Sequence, residues 1–129
     1  MKVRLLPLLL ALVLATPVLA AEKKIILKAT PERVFEAAQK VVKNLEKERW
    51  WVQSIDETKQ LIAIERPTSM TRVGLRATIR VERDASLRAI VTIRAEKSQG
   101  LSAGWADDNQ VKKIAKLIEQ EITRMAKHE

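Results

Sequence analysis

Two stretches in the second half of the chain alternate apolar and polar residues with period two, a pattern that fits a one-sided antiparallel hairpin. In the first, Val73, Leu75, Ala77, Ile79 and Val81 are interleaved with Gly74, Arg76, Thr78, Arg80 and Glu82. In the second, Leu87, Ala89, Val91, Ile93 and Ala95 are interleaved with Arg88, Ile90, Thr92, Arg94 and Glu96. Successive strand residues point to opposite faces, so each stretch turns an aliphatic face to a core and a mostly polar face to water. The polar residues 83–86 between them read as the turn. A hairpin of this kind needs further layers to cover its apolar side.

The rest of the chain supplies them. Residues 23–29 carry Ile25, Ile26 and Leu27 and read as a short strand. Thr30-Pro31 then offers an N-cap hydroxyl followed by a proline at the first helical position, where its missing N–H costs nothing. Val34, Phe35, Ala38, Val41, Val42 and Leu45 follow at helical spacing, and this helix ends near Glu48. Residues 50–56 and 61–66 are two strands joined by the polar turn 57–60, with Pro67 closing the second. The Gly100 to Gly104 loop is a plain connection, without the spacing of a phosphate loop. Asp107 or Asp108 caps a last helix with Val111, Ile114, Ala115, Ile118, Ile122 and Met125 on one stripe. The order β-α-β-β-β-β-α predicts a two-layer α+β fold, an antiparallel sheet of about five strands with both helices on one face. Leu75, Ala77, Ile79, Val81, Ala89, Val91 and Ile93 should lie beneath the helices, and the first strand at an edge.

The N-terminus has the three parts of a secretory signal. Lys2 and Arg4 give the basic region and residues 5–14 the apolar one. Residues 15–20 hold the helix-breaking Pro17 and end with small residues, Val18 and Ala20, at the cleavage positions. The apolar run is shorter than the ~20 residues of a membrane span. The expectation is a signal peptide at 1–20, a single domain at 21–129, a periplasmic or secreted location, and no stable membrane insertion after cleavage. The chain has no Cys, hence no lipoprotein anchor and no disulfide. The signal takes two of the 24 Lys and Arg and none of the 16 acids, leaving 22 against 16, a formal +6. That balance favours anionic partners. In an envelope these are an acidic protein surface or an anionic polymer rather than nucleic acid.

The stretch Ala29-Thr30-Pro31-Glu32-Arg33-Val34-Phe35-Glu36-Ala37-Ala38, leading into paired hairpins, a Gly-containing loop and an acid-capped last helix, resembles the small exported domains of unknown function found in bacterial envelopes. More remotely, the order is similar to the helix-grip domains of the lipoprotein C subunit of the outer-membrane β-barrel assembly machine. The resemblance implies a fold and a compartment, with no reaction attached.

Inventory argues against catalysis. The only His is His128, beside the C-terminus, and there is no Cys. Thiolate chemistry, a Ser-His-Asp triad and a Cys/His zinc site therefore lack their groups, and no cofactor or metal is expected. The candidate binding set is Arg76, Arg80, Arg88 and Arg94 on the outward sheet face, joined by Trp50. Trp50 and Trp51 are adjacent and so point to opposite faces; one belongs to the core. With Thr78 opposite Thr92, Arg76 would face Arg94 and Glu82 would face Arg88, leaving one repulsive pair for a bound anion to relieve. The leading expectation is a non-catalytic envelope binding or accessory protein using this face. An alternative is a small hydrophobic ligand enclosed between sheet and last helix by Ile79, Val91, Ile114 and Ile118. A third class, a carboxylate enzyme, would need two converging acids in a cleft, at least one with a perturbed pKa.

Overall fold

The computed structural model describes residues 20–70, 74–97 and 105–127. The segment before residue 20, Val73, the Gly100 to Gly104 loop and His128 lie outside them. Strand β1 (Ala20–Leu27) is followed by helix α1 (Pro31–Asn44) and a 3₁₀ turn (Leu45–Glu48). Strands β2 (Trp51–Asp56), β3 (Leu61–Arg66), β4 (Leu75–Arg83) and β5 (Ala89–Lys97) come next, then helix α2 (Trp105–Lys127). The strands form one antiparallel sheet in the order β1-β5-β4-β3-β2. The first strand is thus at an edge, and its partner is the last.

Local chemistry sets the boundaries. Thr30, in an extended conformation, accepts the Arg33 N–H at 3.3 Å and caps α1, with Pro31 at its first position. The predicted helix to Glu48 tightens after Asn44 into the 3₁₀ turn, which Arg49 ends in the left-handed region at φ 68°. That reversal lets the Trp50 N–H donate to the Leu45 carbonyl at 3.2 Å. At the other end of the chain, α2 already begins at Trp105. Asp108 is therefore inside the helix and not its cap; it pairs with Lys112 at 2.8 Å, one turn on.

Both helices pack on one side of the sheet, α1 against β4, β5 and β2, and α2 against β1, β5 and α1. Leu75, Ala77, Ile79, Val81, Ala89, Val91 and Ile93 are all buried beneath them and share one core with Val34, Val41, Val42, Leu45, Ile62 and Ile64. Among the described residues, no helix lies over the opposite face of the sheet.

The hairpin register differs from the expected one by two residues. Thr78 lies opposite Arg94, Arg76 opposite Glu96, Arg80 opposite Thr92 and Glu82 opposite Ile90. The cause is the loop, which runs from Asp84 to Arg88 instead of 83–86. The Asp84 carboxylate accepts the N–H groups of Ser86 and Arg88, both at 2.9 Å, while the Asp84 N–H donates to the Arg88 carbonyl at 3.0 Å. Leu87 sits at φ 64° in this loop and is exposed, where the alternation placed it inward. Because the shift is even, the strand residues 75–82 and 89–96 keep their expected faces.

Candidate functional site

The corrected register rearranges the arginines. Arg88 leaves the sheet for the loop, where its guanidinium pairs with Asp84 at 3.0 Å. Burial pushes the Asp84 carboxyl up, but the backbone N–H bonds from Arg88 and Ser86 and the Arg88 charge outweigh it and hold the carboxyl below its ordinary pKa. Arg76 stands between Glu96 on β5 and Glu65 on β3. The expected Arg76–Arg94 repulsion does not exist.

Arg80 and Arg94 do come together, with a third cation that the sequence reading passed over. Thr92 has Arg80 opposite it on β4 and Lys24 opposite it on β1. Arg94 is the next outward residue along β5, opposite Thr78 and Glu22. These side chains, with Leu61 and Glu82, line a depression of about 400 Å³ on the uncovered face. Among the described residues, Lys24, Arg80 and Arg94 make no ion pair or side-chain hydrogen bond.

Trp50 is no surface contact. It is 1% exposed and belongs to the core, whereas Trp51 is 51% exposed and shares the outward face with its partner Glu65. The 3₁₀ turn and left-handed Arg49 decide which of the two turns inward. The Arg66 guanidinium lies 5.5 Å from the Trp50 ring centroid, a cation–π contact.

A second concavity lies on the helix side, at the β2 edge. Val52 and Ile55 have core residues Ile64 and Ile62 as their β3 partners, yet they are 38% and 42% exposed. Helix α1 packs most closely on β4 and covers this edge only in part. The resulting groove, about 450 Å³, has Val42, Val52 and Ile55 as its apolar lining and Glu36, Gln39, Lys40, Lys43 and Glu46 along its α1 side. Lys40 and Glu36 form an ion pair at 3.7 Å there. By contrast Ile79, Val91, Ile114 and Ile118, the lining expected for an enclosed ligand, are wholly buried members of the core.

Among the described residues no group of three His, Cys, Asp or Glu side chains is arranged to hold a metal ion. No described helix is long and apolar enough to cross a membrane. Glu121, the buried acid of α2, is held by the Arg124 Nε–H at 3.0 Å in a small cleft against α1.

No protein-family model matches the sequence, and no curated protein does. Solved structures do match the fold. The di-domain ARO/CYC protein BexL of the BE-7585A biosynthetic pathway superimposes over 81% of this chain with a TM-score of 0.59 and 14% identity. This chain spans 46% of that protein. Ara h 8.0201 matches over 85% of this chain and 98% of its own, with a TM-score of 0.60 and 10% identity. A protein of Nitrosospira multiformis matches over 80% and 92%, at 0.51 and 10%. At such identities the likeness concerns the fold alone: these neighbours have helix-grip folds, and this chain shares with them an α+β architecture of a five-stranded antiparallel sheet with two helices.

Proposed function

We propose that this protein is a non-catalytic binding protein of the cell envelope whose ligand is a small amphipathic molecule with an aliphatic chain. The observation that carries this reading is the open groove between α1 and β2. Two large aliphatic side chains on the core side of the sheet are left two-fifths exposed there. Burying such surface is favourable by roughly 25 cal/mol per Å², and the groove volume falls within the ~300–1,000 Å³ usual for ligand clefts. Its lining has no aromatic ring and its charged groups stand on the α1 side. That chemistry suits a flexible hydrocarbon with a polar end at the rim.

The likeness to helix-grip folds is compatible with a binding role. The secretory pattern of residues 1–20 supports an envelope location. The likeness to the assembly-machine lipoprotein subunit rests on element order and adds the same compartment. Titration with sodium dodecanoate below its micelle concentration, followed by methyl NMR, tests the reading. The Val52, Ile55 and Val42 methyl signals should move together and saturate. A titration that leaves all three in place refutes it.

A further inference from the structure

On the uncovered sheet face, we infer a second and chemically opposite site: a pocket for a compact phosphate monoester, formed by Lys24, Arg80 and Arg94 around the hydroxyls of Thr92 and Thr78. It is independent of the apolar groove, which lies on the other side of the sheet.

Three strands contribute. Lys24 of β1 and Arg80 of β4 flank Thr92 of β5 from either side, and Arg94 lies two residues along β5. Arg80 and Arg94 are diagonal neighbours on adjacent strands, a spacing of roughly 7–8 Å. Two guanidinium groups and an ammonium so placed repel one another. No ion pair with Glu22 or Glu82 relieves them, although both acids border the depression. A tetrahedral dianion offers three strong acceptor oxygens. It meets donors arriving from three directions, which a planar carboxylate cannot do equally well. Arg binds phosphate in a forked geometry, while Lys acts as a point charge.

Charge distribution argues for a compact ligand rather than a long polyanion. Over β1, β5, β4 and β3 the outward face carries Lys24, Arg76, Arg80 and Arg94 against Glu22, Glu65, Glu82 and Glu96. An extended anionic chain lying across it would meet as many acids as bases. Three of the four bases line the depression, where about 400 Å³ accommodates a phosphorylated headgroup.

Amide-detected NMR titration of the protein with inorganic phosphate and with glycerol 3-phosphate tests this. The Thr78, Arg80, Thr92 and Arg94 amides should shift and saturate. Arg80→Gln/Arg94→Gln should weaken both probes by about tenfold or more, and Arg76→Gln should leave them unchanged. These side chains are exposed, and the wild-type shift map stands even if a variant folds poorly. Phosphatidylcholine vesicles doped with phosphatidic acid distinguish a lipid from a soluble source. Binding of both ester forms, with the same arginine dependence, supports a headgroup reader. Vesicle binding with no response to either soluble probe overturns the proposal. So do a non-saturating response and an equal loss in the Arg76 variant, which would mark general screening.

Discussion

Replacing Val52 and Ile55 together by threonine keeps two β-branched residues in β2 and removes apolar surface from the groove. Full burial of a Val or Ile side chain is worth about 1.5–3 kcal/mol. Val52 is 38% and Ile55 42% exposed in the free protein, so a ligand covering the remainder recovers about two-fifths of that, ~0.6–1.2 kcal/mol each. The pair is then worth ~1.2–2.4 kcal/mol, a weakening of roughly 7- to 50-fold in Kd at 1.4 kcal/mol per tenfold. Isothermal titration with dodecanoate reads the ratio directly. Thermal melts of the ligand-free proteins serve as control, because the three-fifths of each side chain already buried contributes to stability by about 1–2 kcal/mol on the same scale. A double variant that binds dodecanoate as tightly as the parent would refute the assignment of the groove. Equal binding at low and high salt in both proteins would further show that burial, and not Lys40 or Lys43, drives the association.

Three further outcomes follow from the fold. Asp84→Asn removes a carboxylate whose folded pKa is lowered by its loop bonds; the parent should melt higher at neutral pH, and the gap should close as pH falls through that lowered pKa, where the stabilising charge is lost. Ile118→Ala should cost about 2–5 kcal/mol in denaturant unfolding, because Ile118 fills the core; a cost near zero would indicate a loose interior with room for a ligand beneath α2. Arg49→Gly should raise stability by about 0.5–1 kcal/mol, since the left-handed φ of 68° that ends the 3₁₀ turn strains any residue with a Cβ.

The alternation in β4 and β5 made their faces readable without coordinates, because the pleat imposes a period of two whatever the partner. Register was less accessible. It depends on how many residues the loop consumes, and Asp84 fixes that number by bonding two N–H groups that local propensity does not single out. The same holds for the tryptophans: adjacency showed that they diverge, but the backbone reversal at Arg49 decided that Trp50 goes inward. Arg80 and Arg94 were legible as outward cations. Lys24 was not, since its place beside Thr92 comes from pairing of the first strand with the last, some seventy residues away. The groove depended on knowing which strand lies at the edge, a topological fact with no sequence period of its own.

The irregularity in β2, where pairing slips between Val52 and Ser54, bears on how the molecule keeps sticky surface in water. An extra residue bends the strand and breaks the even run of free N–H and C=O groups that another chain would need as a template. At the far edge, Lys23 takes the register position of Ile93 on the helix-covered side, yet is exposed; a sixth strand added there would have to desolvate its ammonium. Both margins of the sheet therefore discourage growth by strand addition. Aliphatic side chains beside β2 can remain uncovered without seeding edge-to-edge aggregation.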